Sequence, residues 1–308
     1  MELHATLSLF RDQPLRVSIA PDKQGERDFL PKPDELKGKL FLGDRGYEDI
    51  DYCSQVKAAE GDYLIRFTKK INPTVVECWI SGQRCERLEG RKLSEIRAAL
   101  PKRKAVDLDV EWIRGGEAVR SRLVILEKPK AARPKKVKSK RARKKQTAKK
   151  TKPPRQDRMQ LATSLDRESF STEVIAILYR LRWQVELLFK EWKSYANLHS
   201  FDTGKVQIAK GLMWASLAAA LLKRFLAHAT QLVFGVETST RSAAMALFHH
   251  LPLLLQSFVR GEQGRLRRFE ELLRFLRDNA RRAHPKRDRR TGRLQNAFLR
   301  PAWVDANP

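Results

Sequence analysis

Residues 3–20 alternate apolar and polar positions with a period of two, which is typical of half-buried β-strands. Residues 3–20 contain two such stretches on either side of turn-forming residues around Asp12, and they predict a β-hairpin. The apolar stretch at 39–43 predicts a short strand that ends at Asp44, where a glycine turn begins. A helix is expected to follow over about residues 50–59.

The period of two continues from residue 62 to residue 128 and predicts an all-β block. Glycines and one Asn-Pro pair separate its apolar runs, as turn residues do between strands. The strands expected are Tyr63–Phe67, Val75–Ile80, Cys85–Leu88, Val106–Trp112 and Arg120–Glu127.

From about Ser171 the apolar residues recur with helical spacing. The helices expected are 172–195, 205–234, 240–259 and 264–282. The longest apolar run, near 211–222, ends at Lys223 and is too short to span a membrane. It therefore predicts a buried core helix.

The charge of the chain indicates its kind of partner. Among 308 residues, 63 are Lys or Arg and 36 are acidic, for a net charge of +27. Such a protein is expected to bind a polyanion, of which nucleic acid is the commonest. Residues 128–158 alone hold sixteen Lys or Arg and one acid. This segment cannot form a core, so we expect it to be disordered without a partner and to contact DNA. The alternative is a solvated linker.

Three scattered cysteines without a C-x-x-C pair favour a reducing compartment and no structural zinc. The first residues lack the cationic and apolar regions of a signal peptide. We therefore expect a cytoplasmic, nucleoid-associated protein that does not enter a membrane.

Four polar residues of the helix predicted at 172–195 share one narrow face. Tyr179, Arg182, Glu186 and Lys193 fall within an arc of roughly 60° at helical spacing. A metal-binding carboxylate flanked by phosphate-binding cations suits phosphodiester chemistry. The alternative is a solvated stripe in which Arg182 and Glu186 form an i,i+4 ion pair.

Asp44 is a second candidate carboxylate, because a side chain at the end of a strand projects from the edge of a sheet. Magnesium binds one or two protein carboxylates together with phosphate oxygens. Asp44 and Glu186 therefore form a plausible half of a metal site. The alternative is an ordinary turn aspartate.

Tyr179, Arg182, Glu186 and Lys193 match the pattern Y-x-x-R-x-x-x-E-x-x-x-x-x-x-K. In this the chain resembles the insertion-sequence-4 group of bacterial DDE transposases. Residues 42–47, Leu-Gly-Asp-Arg-Gly-Tyr, resemble the turn that carries the second catalytic Asp of that family. The resemblance covers roughly residues 3–230.

The resemblance implies an α/β fold, a ribonuclease-H-like transposase core with a β-rich insertion and a helical C-terminal region. The expected divisions are residues 1–60 for the first part of the core, 61–165 for the insertion, 166–235 for the second part of the core, and 236–308 for the helical region with its basic tail. It also implies Mg²⁺-dependent (or Mn²⁺-dependent) nicking and strand transfer, and a possible homodimer on double-stranded DNA.

The resemblance also assigns roles to residues. Asp44 and Glu186 are expected to be catalytic metal ligands, while Tyr179, Arg182 and Lys193 hold DNA phosphates or position a DNA end. Two further DNA-contact candidates are Lys190, for which a solvated lysine is the alternative, and Trp183, which is a candidate for stacking on a base. Trp192 lies on the apolar face and is expected in the core.

One departure from the family limits these expectations. The strand that carries the first catalytic Asp is absent, and neither Asp12 nor Asp22 stands at the required place. We therefore expect an N-terminally truncated and catalytically incomplete chain. The alternatives are a non-catalytic DNA-binding remnant of a transposase and an unrelated basic nucleic-acid-binding protein.

Overall fold

The computed structural model describes residues 2–9, 13–20, 25–101, 104–127, 158–195, 201, 203–236, 238–259 and 261–281. The chain divides into two compact units. The first contains Pro14–Arg182 and the start of the chain, and the second contains Leu7–Gln13 and the described residues from Trp183 onward.

The predicted hairpin is confirmed. Strands β1 (Glu2–Ser8) and β2 (Gln13–Ala20) form a two-stranded sheet. The His4 ring stacks on Phe29 at a centroid distance of 3.7 Å.

The first unit is built on a seven-stranded mixed sheet in the order β3-β4-β9-β8-β7-β5-β6. The strands are β3 (Leu40–Gly43), β4 (Asp62–Phe67), β5 (Thr74–Ile80), β6 (Gln83–Arg84), β7 (Val106–Arg114), β8 (Glu117–Glu127) and β9 (Arg158–Thr163). Strand β3 pairs with β4 in parallel, and the remaining pairs are antiparallel. Helix α1 (Ile50–Ala58) makes the crossover that a parallel pair requires.

Four of the five strands predicted for the β block are confirmed. The prediction for Cys85–Leu88 is wrong, because the strand ends at Arg84 and Glu86–Leu88 form a 3₁₀ turn. Strand β9 was not predicted. It follows the basic segment directly, and a six-residue strand beside so polar a stretch gives too short an apolar pattern to be recognised. It pairs with β4 and β8.

The pairing of β8 with β9 places Glu127 opposite Arg158. Residues 128–157, which carry the predicted disordered basic segment, lie outside the described residues. Arg158 belongs to β9, and its guanidinium donates to the carbonyls of Leu100 and Pro101 at 3.0 and 2.5 Å. The two described residues that flank this segment, Glu127 and Arg158, are therefore paired neighbours in the sheet.

An apolar core fills the first unit. Among its fully buried members are Cys53 and Val56 from α1, Ile96 from the short helix α2 (Leu93–Ile96), and Ile65 and Leu108 from the sheet.

The helix predicted over 172–195 is two helices, α3 (Thr172–Leu181) and α4 (Trp183–Tyr195). The break falls at Arg182, whose N–H donates to the Tyr179 carbonyl three residues back at 3.2 Å. No proline or glycine marks this position, so periodicity cannot detect it. The division between the units falls between Arg182 and Trp183, so α3 and α4 belong to different units.

The second unit consists of α4, α5 (Val206–Phe234), α6 (Thr240–Ser257) and α7 (Gly261–Asn279). The predicted helices at 205–234, 240–259 and 264–282 are confirmed. Leu226, Leu247 and Leu272 belong to the buried cluster that α5, α6 and α7 share. Helix α5 ends at Gly235 in the left-handed conformation, with φ of 65°, where glycine carries no steric penalty.

The prediction of a buried core helix near 211–222 is wrong for most of its surface. Helix α5 has 29 residues, and Leu212, Trp214 and Leu221 of the predicted run are 42%, 49% and 41% exposed. Of the helices that the structure describes, α5 alone is long and apolar enough to cross a membrane, and 28% of its most apolar window is buried.

Candidate active site around Asp44

Asp44 follows β3 directly and begins a 3₁₀ turn. Its Oδ1 accepts a hydrogen bond from the Arg45 N–H at 2.7 Å, as an N-cap carboxylate does. The parallel register pairs Gly43 with Ile65, so Asp44 stands next to Arg66 of β4. The Asp44 side chain is 41% exposed. The strand end therefore presents a carboxylate that a ligand can reach.

Two cations and a phenol surround this carboxylate. Tyr179 donates its hydroxyl to Asp44 Oδ1 at 3.3 Å, across 135 positions of sequence. The guanidinium of Arg182 lies 3.8 Å from Oδ2, and that of Arg66 lies 3.7 Å from Oδ1. Long ion pairs at a partly exposed carboxylate stabilise a fold by little. These contacts therefore add little to the stability of the fold.

The phenol of Tyr179 is kept protonated. Burial and the negative charge of Asp44 raise the pKa of Tyr179 to about 12, while Arg182 and Arg66 act in the opposite direction. The Arg182 guanidinium also lies 5.7 Å from the centroid of the Tyr179 ring. At neutral pH, Tyr179 is thus a hydrogen-bond donor that orients the Asp44 carboxylate.

The turn after Asp44 is tied to its surroundings by side chains. Glu48 accepts hydrogen bonds from the N–H and the hydroxyl of Thr68 at 2.6 and 3.1 Å. Arg27 donates to the Gly46 carbonyl at 3.3 Å. These contacts hold the turn against the end of β4 and so hold Asp44 beside Arg66.

Helix α3, which carries Tyr179, is anchored by a buried ion pair. Arg122 and Asp107 are 6% and 5% exposed, and their two hydrogen bonds measure 2.9 and 2.8 Å. The remaining nitrogen of Arg122 donates to the carbonyls of Leu165, Asp166 and Phe170. The next residue, Ser171, is the N-cap of α3. Arg122 therefore fixes the start of the helix against the sheet.

Arg167 extends this network. It pairs with Asp107 at 3.1 Å and with Asp109 at 3.0 Å, and it lies 5.1 Å from the centroid of a Trp79 ring. Burial raises the pKa of the Asp109 carboxyl, although Arg167 beside it acts in the opposite direction. The buried carboxylate of Asp107 and the partly exposed one of Asp109 are thus matched by two arginines.

A family model described as the transposase DDE domain matches residues 1–222, well over half of the chain. This chain belongs to the DDE transposase domain family. It is 44% identical over 62 residues to the transposase for insertion sequence element IS421 of Escherichia coli, covering 20% of this chain and 17% of that protein. It is 29% identical over 120 residues to the transposase for insertion sequence element IS231D of Bacillus thuringiensis subsp. finitimus, covering 36% of this chain and 24% of that protein.

The chain therefore aligns with a quarter or less of the length of these curated relatives. Family membership nevertheless removes one alternative, that of an unrelated basic nucleic-acid-binding protein.

The structure of this DDE domain brings together three of the predicted site residues, Asp44, Tyr179 and Arg182, within its first unit. It adds Arg66, which the sequence analysis missed. The available signal was a single arginine inside the apolar strand Tyr63–Phe67.

The other predicted residues lie on α4 in the second unit. Trp183 is 55% exposed, as a base-stacking residue must be, and Lys190 and Lys193 are exposed. Glu186 is partly buried. The prediction that Trp192 belongs to the core is confirmed, because it is 1% exposed and meets Phe189 edge to face.

The donor chemistry of Asp44 fits one ligand of a divalent-metal site. Magnesium and manganese prefer carboxylate oxygens, and magnesium completes its shell with water and phosphate oxygens. Among the described residues, no three His, Cys, Asp or Glu side chains form a metal-binding group. Asp12 and Asp22 lie outside the described residues.

Proposed function

We propose that this chain acts as a DNA transposase of the insertion-sequence-4 group, whose chemistry is cleavage and strand transfer at the ends of an insertion sequence. The hydrogen bond from Tyr179 to Asp44 carries the proposal. It joins Tyr179, the first residue of the four-residue motif, to Asp44 of the turn motif. The resemblance to the family assigns both motifs to one active site.

In this proposal Arg66 and Arg182 bind the phosphodiester. Each guanidinium is within 4 Å of Asp44, at distances of 3.7 and 3.8 Å, and can reach an anion placed beside that carboxylate. Arginine suits this task because its fork of N–H groups matches two phosphate oxygens. Tyr179 keeps Asp44 oriented while the arginines turn to the phosphate.

Asp44 and Glu186 would hold the divalent metal, Mg²⁺ or Mn²⁺. When bound, such an ion activates the attacking oxygen and stabilises the leaving one. Lys190, Lys193 and Trp183 on α4 contact the DNA in this proposal, which their exposure supports.

We also propose the ribonuclease-H-like division of the fold. Its support is strand β3, which ends directly before Asp44 and is followed by helix α1. Residues 1–60 and 166–235 would form the core, 61–165 the β-rich insertion, and 236–308 the helical C-terminal region.

The chain as given is proposed to be catalytically incomplete. Strand β3 is at the edge of the seven-stranded sheet among the described strands, so its outer side is free to pair with a further strand. A strand there that ended in an Asp would set a second carboxylate beside Asp44. The alternative function, a non-catalytic DNA-binding remnant, rests on the same observation.

Double-stranded DNA is the proposed partner, and the net charge of +27 supports it. A homodimer on DNA and a place in the cytoplasm with the nucleoid are proposed with it.

A cleavage assay tests whether the chain cuts DNA and whether cutting depends on Asp44 and Glu186. Purified chain is incubated with plasmid carrying the ends of its own element in Mg²⁺ or Mn²⁺, beside Asp44→Asn and Glu186→Gln. We expect DNA binding without nicking, which supports an incomplete enzyme. Nicking that both variants abolish would support the transposase and refute incompleteness. Nicking that neither variant reduces would refute the assignment of both carboxylates.

A further inference from the structure

Cys78 and Cys85 face each other across the hairpin of β5 and β6. The register pairs Ile80 with Gln83 and Trp79 with Arg84, so Cys78 and Cys85 form the next pair. The Cys85 N–H donates to the Cys78 carbonyl at 2.7 Å, which continues the ladder to this pair.

The two side chains lie on the same side of the sheet, because directly opposed residues project from the same face. Cys78 is fully buried in the core of the first unit, and Cys85 packs against the same core while remaining partly exposed. Directly opposed residues of antiparallel strands have Cα atoms about 4.5–5.5 Å apart, inside the range of roughly 4.4–6.8 Å that a disulfide spans.

We propose that Cys78 and Cys85 form an oxidisable dithiol, a site of reversible disulfide formation. In a reducing compartment both remain thiols. With glutathione disulfide as oxidant, the Cys85 thiolate attacks one glutathione sulfur and releases one glutathione thiolate. The Cys78 thiolate then attacks the Cys85 sulfur of the mixed disulfide and releases the second. The dithiol loses two electrons and two protons, and the oxidant becomes two glutathione thiols.

The order of attack follows from burial. Burial raises the pKa of the Cys78 thiol to about 11, so Cys78 is a poor first nucleophile. Cys85 is the more exposed of the two and meets the oxidant first. Cys78 is then the only described cysteine placed opposite it.

The bond would close a short loop around Ser81 and Gly82, which turn the hairpin with φ of 53° and 80°. It would hold β6, a two-residue strand at the end of the sheet, against β5. The Cys78 N–H already donates to the Glu89 carboxylate at 3.2 Å, and Arg84 pairs with the same carboxylate. Oxidation would therefore fix this edge covalently.

Cys53 provides a matched control, because it is fully buried in α1 of the same unit. Native full-length chain is incubated with glutathione disulfide and alkylated, and its peptides are identified by mass spectrometry. We expect a linked pair of peptides containing Cys78 and Cys85, lighter by two hydrogens, about 2 Da, and restored by dithiothreitol. Cys53 should be alkylated only after unfolding.

Two variants make the result decisive. Cys53→Ser should still form the bond, and Cys78→Ser should stop at a glutathione adduct on Cys85. The equilibrium constant for forming the disulfide with glutathione should be about tenfold or more larger in the native chain than in urea, since the fold holds the two sulfurs together. Stable glutathione adducts on Cys85 of the unmutated chain, or equal formation in urea, would overturn the proposal. Circular dichroism of each variant confirms folding.

Discussion

The partners of Asp44 in its own unit are a phenol and two guanidiniums. Two cations therefore lie beside this carboxylate. In the proposed function, an incoming phosphodiester would compete with Asp44 for Arg66 and Arg182. At the residue scale, Tyr179 reports on the charge of Asp44, because that carboxylate raises the pKa of the phenol.

The first prediction concerns Tyr179. Asp44→Asn removes a negative charge that disfavours the phenolate, so the pKa of Tyr179 should fall from about 12 toward its ordinary value of 10.0. The fall should be partial, because burial is the largest cause of the shift and remains. Tyrosinate absorbance is titrated in Asp44→Asn. The same variant carrying Tyr179→Phe as well is titrated beside it, and the difference between the two curves is the signal of Tyr179. An unchanged or higher pKa would contradict the geometry.

The second prediction concerns the two arginines. Arg66→Ala and Arg182→Ala should each weaken DNA binding and lower the slope of log K against log salt by about one, as loss of one phosphate contact does. Fluorescence anisotropy over a salt series measures both quantities. The control is Arg114→Ala, an exposed arginine at the turn between β7 and β8. Equal effects of all three substitutions would show general electrostatics instead of a site.

At the element scale, the position of α3 depends on the sheet. The guanidinium of Arg122 bonds both to Asp107 of β7 and to three carbonyls of the connection that precedes the helix. A side chain of β8 therefore determines where α3 begins, and Tyr179 occurs two turns later. This explains how a helix far along the chain meets the end of β3.

The third prediction tests that anchor. Arg122→Met leaves Asp107 buried with Arg167 as its remaining partner, and it should destabilise the first unit by about 3–5 kcal/mol. Arg120→Ala on the same strand removes a 74% exposed partner of Glu111 and should cost less than about 1 kcal/mol. Hydrogen exchange of peptides from β8 and α3, followed in increasing urea, measures the stability of the first unit. Similar protection in both variants would refute the anchoring role.

At the scale of the whole molecule, the charge is unevenly distributed along the chain. Residues 128–158 hold sixteen of the 63 Lys and Arg residues. The strands on either side of the segment are direct neighbours in the sheet, because Glu127 pairs with Arg158. The pairing of β8 with β9 therefore does not require the segment, because a short turn can connect the two strands.

The fourth prediction separates folding from DNA affinity. Replacing residues 129–156 by a short glycine-asparagine turn should leave the melting temperature within a few degrees, because the β8–β9 register needs only a turn. DNA affinity should fall by tenfold or more, at roughly 0.1 M salt, with a much smaller salt slope. A variant with a Gly/Ser segment of the original length controls for the loop. Unchanged affinity would refute a DNA-binding role for the segment.

The pattern of apolar residues was sufficient for most of the elements. The hairpin, β3, four strands of the β block and the helices from α5 to α7 follow directly from period and punctuation. It was insufficient for β9, a short strand beside a basic segment, and for the break at Arg182. Both depend on partners elsewhere in the chain: β9 on β4 and β8, and Arg182 on Asp44.

The family, the excess of positive charge and the residue types of the site follow from the sequence alone. Residue types and spacings along one stretch of chain are local properties, and they persist in any fold. The three-dimensional structure shows that Tyr179 and Arg182 meet Asp44, that Arg66 joins them, and that Arg122 anchors α3. Such contacts arise because sheet register and burial of charge bring together groups on different elements, which are 135 positions apart for Tyr179 and Asp44. No local pattern encodes them.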